Sequence, residues 1–205
     1  MPMNENHAKV CPSPEWAEYL QGEVLPAVAG GRELGATLIE IGPGPGASTD
    51  WLRHRVERLV AVEVDPEAAA KLADRFADTN VEVVVEDATA LSAPDDSFDS
   101  AGSFTMLHHL PTAALQNRML AELLRVLRPG GVLIGSDSLA SVELHHFHEG
   151  DIYNPIEPAS MLTRLMTLGY EQITLSVGDR MTFVAHKPDP DARRWKNSIG
   201  SYLAR

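Results

Sequence analysis

A chain of 205 residues, 44% hydrophobic and 22% charged, has the length and composition of one soluble globular domain with a substantial core. Its net charge of -12 argues against a nucleic-acid partner, because such binding rests largely on Lys and Arg neutralising phosphates; a local basic patch stays open, though no Lys/Arg run suggests one. The single cysteine, Cys11, excludes an internal disulfide and fits a reducing compartment. Met1 to Val10 lacks the basic start and apolar stretch of a signal peptide, and no apolar run reaches membrane-spanning length. The reading is a cytoplasmic protein with no membrane partner.

Residues 1 to 13 are polar with two prolines and read as disordered or loosely attached. From Pro14 to Ala29, Trp16, Tyr19, Leu20, Val24 and Val28 recur at helical spacing until Gly30-Gly31 stops the pattern. This helix either packs on the core or acts as a lid. Thr37 to Ile41 is an apolar strand followed by Gly42, Gly44 and Gly46 and then a helix-compatible segment, Ala47 to Val56. Without β-carbons the backbone can turn sharply and approach a ligand, so the stretch reads as a strand-to-helix ligand turn. Its spacing is G-x-G-x-G, and its two interleaved prolines remove amide donors, which disfavours a tight pyrophosphate cradle.

Leu59 to Val64 is a β-branched run that reads as a buried strand, after which Asp65 can cap a helix with Pro66 at its first position. Val81 to Val85 and Phe98 to Phe104 are two further strands. Thr112 can cap a long helix whose Leu115, Met119, Leu120, Leu123, Leu124 and Leu127 follow the 3.6-residue period, and Pro129-Gly130-Gly131 is expected to end it. Val132 to Ser136 is a fifth strand. Asp137 to Pro158 has no clear period, which marks it as functional or mobile. A short helix is expected over Ser160 to Leu168, and the runs Gln172 to Val177 and Met181 to His186 flank Gly178-Asp179 as a β-hairpin. In the tail, Trp195 and Tyr202 are candidate docking points. Strands alternating with helices describe a mostly parallel α/β sheet covered on both faces, with its ligand edge at the strand C-termini.

Acidic residues follow the first three strands in turn: Glu40 in strand one, Glu63 at the end of strand two, Asp87 after strand three. Glu63 lies 21 residues after Gly42, close to the offset of a carboxylate that accepts from two vicinal ribose hydroxyls. Asp87 can accept from an adenine amino group, with the Ala88 amide facing the ring.

These residues resemble a family. Glu40-Ile-Gly42-Pro-Gly44-Pro-Gly46, Glu63, Glu86-Asp87-Ala88, Phe98-Asp99 through Leu107-His108-His109-Leu110, and Leu127-Arg128-Pro129-Gly130-Gly131 are similar, in order, to the motifs of class I S-adenosylmethionine-dependent methyltransferases of the small type-11 kind. The resemblance spans roughly residues 36 to 186. It implies a seven-stranded, mostly parallel Rossmann-like sheet in the order 3-2-1-4-5-7-6, with strand seven antiparallel and helices on both faces. It also implies S-adenosylmethionine as cofactor, held by Glu40, Gly42, Gly44, Gly46, Glu63, Val64, Asp87, Ala88 and Phe104. One methyltransferase domain is expected over 1–205: the N-terminal helix in 1–35, the core in 36–187 and a tail in 188–205. No feature specifies an oligomeric state.

A sulfonium methyl is already electrophilic, so holding a nucleophile in line with it is most of the task. A base is needed only if the nucleophile arrives protonated, and the resemblance places His108 and His109 near the methyl group as candidates. Glu143 to Asp151 carries imidazoles and carboxylates of the kind that bind zinc. The i, i+1, i+3 spacing of His145, His146 and His148 is not that of a recognised structural zinc site, and cysteine ligands are absent, so no metal is assigned. The segment reads as a substrate-facing loop with His145, His148 and Tyr153 as contacts. Thr105-Met106-Leu107-His108 stands where adenine- and glutamine-modifying relatives carry Asn/Asp-Pro-Pro-Tyr/Phe, which together with the acidic charge favours a small-molecule acceptor. The rivals are a nicotinamide dehydrogenase, a non-catalytic S-adenosylmethionine-binding module and an RNA methyltransferase. The first would want G-x-G-x-x-G and often Tyr-x-x-x-Lys, neither of which occurs.

Overall fold

A computed structural model of the chain describes residues 4–191. Its seven strands form one sheet in the order β3-β2-β1-β4-β5-β7-β6. The first five, β1 (Thr37–Ile41), β2 (Arg58–Glu63), β3 (Val81–Val85), β4 (Phe98–Phe104) and β5 (Leu127–Ser138), pair in parallel, and β7 (Arg180–His186) runs antiparallel to both β5 and β6 (Glu171–Val177). The expected order and the single reversed strand are both present.

Side-chain alternation along the strands sorts the core into two layers. Ile39, Ile41, Val60 and Val62 face one layer, filled by α6 (Ala113–Val126) and α8 (Pro158–Leu168) through Met119, Leu120, Leu123, Met161 and Leu165. Leu38, Leu59 and Ala61 face the other, filled by the N-terminal helices together with α4 (Ala47–Leu52) and α5 (Pro66–Arg75). Asp65 caps α5 by accepting from the amides of Glu67 and Ala68, and Thr112 caps α6 by accepting from Leu115.

The structure departs from the sequence reading in four places. Residues expected to be disordered contain a helix, α1 (Glu5–Val10), capped by Asn4 and anchored by the Asn4 amide on the carbonyl of Phe147, 2.8 Å away. The helix expected over 14–29 is a series: α2 (Pro14–Tyr19), a wider π turn over Leu20–Val24, then α3 (Leu25–Ala29). Pro26 has no N–H to give the carbonyl four residues earlier, so the ladder slips by one residue just ahead of it. With Leu20, Val24, Leu25 and Val28 buried, this series packs as core. Helix α6 stops at Val126, before the Pro-Gly-Gly, because Leu127 is drawn into the sheet opposite Phe98. Finally, the segment read as irregular holds α7 (Val142–Phe147), capped by Ser141. Trp195 and Tyr202 lie outside the described residues. Among the described residues no helix is long and apolar enough to cross a membrane.

Candidate active site

The loop between β1 and α4 takes three left-handed residues in alternation: Gly42 (φ 63°), Gly44 (φ 54°) and Gly46 (φ 89°). A β-carbon on Gly42 would come within 2.3 Å of Met106 Cγ, and one on Gly46 within 2.7 Å of Leu72 Cδ1 and Phe76 Cε2. At Gly44 nothing lies within 4 Å. The outer two glycines let the loop close against the protein, and the middle one leaves an open backbone face for a ligand. Beneath the loop Glu40 is fully buried, with its carboxylate accepting from the hydroxyls of Ser48 and Thr49 at the start of α4. Burial pushes its carboxyl up to about 7, against the opposing effect of the two hydroxyls.

Beside this loop a cavity of about 210 Å³ is bounded on one side by Glu63, Val64, Asp87 and Ala88 and on the other by Gly42, Met106 and Leu110. Oε1 of Glu63 accepts from the amides of Val64 (2.8 Å) and Asp65 (3.0 Å), which fixes the carboxylate and leaves its second oxygen for a ligand. Oδ1 of Asp87 accepts from the Thr89 amide at 2.8 Å and leaves Oδ2 in the same way. Val64, 62% exposed, stands at the mouth as an apolar wall with nothing covering it. A nucleoside with vicinal hydroxyls and an exocyclic amine fits this pair of acceptors.

The far side of the loop leads to the ends of β4 and β5. Thr105 sits at φ 55°, a strained position for a β-branched residue, with its hydroxyl accepting from Arg180 at 2.9 Å. Next along the chain, Leu107–His109 form a turn of 3₁₀-helix. The His108 ring is buried, with Nδ1 2.6 Å from Oδ1 of Asp137 at the end of β5. Three more imidazoles close on it: the ring of His109 is 4.2 Å from that of His108, His148 lies 4.9 Å from His108, and His7 of α1 lies 4.9 Å from His109 and 4.6 Å from His148. Burial holds the His7 imidazole down to about 4 and that of His109 down to about 3, so both rings are neutral at neutral pH. Tyr153 stacks on His148 at 4.2 Å. Beyond it a second cavity of about 450 Å³ is bounded by Ala140, Ser141, Val142, His145, Tyr153 and Pro155.

The structure thus gathers Gly42, Glu63, Val64, Asp87 and Ala88 around one cavity, with Gly44 open beside it. Glu40 lies below them, and Phe104, 6% exposed, packs in the opposite layer with Ala47 and Leu52. His108 and His109 border neither cavity; they belong to the imidazole cluster instead. His148 joins that cluster, while His145 and Tyr153 line the larger cavity. Sequence reasoning missed Met106 and Leu110 as cavity walls, although both stand in the loop after β4 that it had singled out. It also missed His7 and Asp137, for which no local pattern gave a signal.

Residues 39–135 match the type-11 Methyltransferase domain family. Among curated proteins the chain is 32% identical over 105 residues to the 2-methyl-6-phytyl-1,4-hydroquinone methyltransferase of Synechocystis sp., an overlap of 50% of this chain and 32% of that protein. It is 53% identical over 55 residues to the ribosomal RNA small subunit methyltransferase A of Acidobacterium capsulatum, covering 26% of this chain and 19% of that one. The chain therefore spans a third or less of the length of these two relatives. Among solved structures, an S-adenosylmethionine-dependent methyltransferase from Methanosarcina mazei superposes with a TM-score of 0.66 at 16% identity, over 77% of this chain and 95% of that one. At that identity the likeness is one of fold.

Proposed function

The core of this chain belongs to the type-11 family of class I S-adenosylmethionine-dependent methyltransferases, and from that premise we propose that it methylates a small-molecule acceptor in the cytoplasm. The observation that carries the reading is the pair of carboxylates, Glu63 and Asp87, each with one oxygen pinned by backbone amides and the other left free around one cavity beside an open glycine turn.

In this reading Glu63 accepts from the ribose hydroxyls and Asp87 from the adenine amine. Val64, Ala88, Met106 and Leu110 sandwich the base, and the backbone at Gly44 receives the amino-acid end. Glu40 acts from below by tying β1 to the start of α4, which sets the loop's shape. When bound, the cofactor supplies an electrophilic sulfonium methyl. The chain's own contribution is then to align the acceptor and exclude water, which can lower the barrier by roughly 7–11 kcal/mol in ideal cases. His108 and His109 are not assigned the role of base: both border neither cavity, and burial holds His109 down to about 3.

A small acceptor is supported by the net charge of -12, by Thr105-Met106-Leu107-His108 in place of an Asn-Pro-Pro-Tyr-like loop, and by the mostly apolar cavity bounded by Val142, Tyr153 and Pro155. Similarity to a hydroquinone methyltransferase is in keeping with it. The rRNA methyltransferase similarity favours an RNA acceptor, and RNA binding that weakens steeply with salt would mark that alternative.

Calorimetry of the full chain against S-adenosylmethionine, its demethylated product and NAD is the test, followed by a metabolite-extract screen for methyl transfer. Binding of the first two and not NAD is expected. Glu63→Gln and Asp87→Asn should each weaken binding roughly 10- to 100-fold, the range for losing hydrogen bonds to a charged group. Indifference to both the donor and its product would overturn the reading. Donor binding with no transfer in any extract would point to the non-catalytic binding module.

A further inference from the structure

We propose that His7, His108, His109 and His148 together bind one divalent first-row transition ion, zinc in the first instance, at the edge of the sheet beyond the cofactor cavity. One ring nitrogen from each of the four lies within 4.8 Å of all the others. In a tetrahedral site, zinc–imidazole bonds of about 2.0–2.1 Å put ligand nitrogens about 3.3–3.4 Å apart. Closing on an ion therefore draws the widest-spaced rings together by roughly 1.5 Å.

The remaining nitrogens carry a second, independent observation. Nδ1 of His108 is held by the Asp137 carboxylate at 2.6 Å and Nδ1 of His148 by the Leu144 carbonyl at 2.6 Å. Nδ1 of His7 stands 3.0 Å from Oδ2 of Asp151, at ion-pair distance though not aligned for a hydrogen bond. Carboxylates and carbonyls in these places fix the tautomer and aim of a metal-bound imidazole. The opposite nitrogens of the His108 and His148 rings lack such a partner: Nε2 of His108 and Nε2 of His148 are buried with no hydrogen bond. The two residues are 1% and 4% exposed, and orphaned polar atoms at such sites are rare in folded proteins. An ion among the four rings would take up both lone pairs.

The donor set also selects the ion. Four imidazoles and no thiolate suit zinc and its first-row neighbours and suit neither magnesium nor calcium, which prefer oxygen. The ligands come from α1, from the turn after β4 and from the end of α7, so the ion would fasten both outer helices across the tips of β4 and β5. The ion would add to the Asn4–Phe147 bond in docking α1, whose one buried side chain is His7.

The test uses the full chain, stripped with a chelator and titrated with Zn²⁺ and separately with Co²⁺. One equivalent of each should bind, Co²⁺ should show the intense d–d absorption of a four-coordinate site, and the thermal midpoint should rise with free Zn²⁺. His148→Gln and His7→Gln should abolish saturable binding. Asp137→Asn should weaken it roughly 10- to 100-fold, as loss of an orienting partner does. His146→Gln, on the same helix but outside the cluster, should bind like the unaltered chain. Melting curves of the stripped variants against the stripped parent separate lost ligation from lost folding. Failure of the stripped parent to take up a stoichiometric ion, or equal uptake by a well-folded His148→Gln protein, would overturn the proposal.

Discussion

Asp137 and His108 form a pair sealed inside the protein: Oδ1 stands 2.6 Å from Nδ1, and the side chains are 0% and 1% exposed. Oδ1 also accepts from the Ser138 amide at 2.8 Å, so a single oxygen serves the ring and the strand end together. Asp137→Ala would leave the ring nitrogen and that amide short of an acceptor in a dry site. The expected loss is about 1–3 kcal/mol of unfolding free energy in the metal-free protein, the range for an unsatisfied buried group. Asp137→Asn keeps an oxygen in place and should recover most of it. Urea unfolding of both variants measures the difference, and equal stabilities would show that the acceptor at that position does not matter.

Glu40 gives the fold a pH dependence whose sign follows from its burial. Its carboxyl is pushed from an ordinary value of 4.5 up to about 7, so the native state holds a proton that the unfolded chain has released. The contribution is present in full below 4.5 and is lost as pH rises through 7. At about 1.4 kcal/mol per pH unit the span amounts to roughly 3 kcal/mol. Glu40→Gln keeps an oxygen for the Ser48 and Thr49 hydroxyls but cannot ionise. Its stability profile should be flatter than the parent's across that window, with the variant gaining on the parent toward alkaline pH. Parallel profiles for the two proteins would show that Glu40 is ionised throughout.

The glycine turn separates backbone strain from ligand contact. Gly44 and Gly31 both hold left-handed backbone, at φ 54° and 72°, and at either one a β-carbon would meet nothing within 4 Å. Alanine at each should destabilise the fold by about 1–2 kcal/mol through strain alone. Only Gly44→Ala should also lose S-adenosylmethionine affinity, by more than roughly tenfold, because its methyl would occupy the face where the ligand approaches. Calorimetry and thermal melts on the two variants make the comparison, and equal affinities would remove Gly44 from the site.

Much of this architecture was legible because buried parallel strands are continuous apolar runs with sharp ends. β1, β3 and β4 have the bounds expected from Thr37–Ile41, Val81–Val85 and Phe98–Phe104, since glycine, acidic and polar residues stop each run. The carboxylates were legible too, because the connectivity brings Glu63 and Asp87 to one edge. What escaped was held by tertiary contact alone. Glu5–Val10 has no apolar face, and it is fixed by the Asn4–Phe147 bond and by His7 among imidazoles far along the chain. The run His145, His146, His148 drew attention to this segment for a local spacing that the fold does not use. Only His148 turns inward, and its companions come from elsewhere in the chain.

Thr105 offers the last test, because its strain and its hydrogen bond pull in opposite directions. A β-branched residue at φ 55° is held in a region that glycine occupies freely, at about 1–2 kcal/mol. Against this, its hydroxyl accepts from Arg180 at 2.9 Å and its amide donates to Ser136 at 2.8 Å, which bridges β4, β5 and β7 beside the Met106 wall of the cofactor cavity. Thr105→Gly relieves the strain and loses the hydroxyl, worth about 0.5–1.5 kcal/mol, so its stability should sit within about 1 kcal/mol of the parent. Thr105→Val loses the hydroxyl and keeps the strain, and it strips a partner from Arg180, whose Nε is already buried without one; it should be the least stable of the three. If the bridge positions Met106, both variants should bind S-adenosylmethionine more weakly, and Thr105→Gly should do so without a matching loss of stability. Unchanged affinity in Thr105→Gly would mean that the strained residue serves only to turn the chain out of β4.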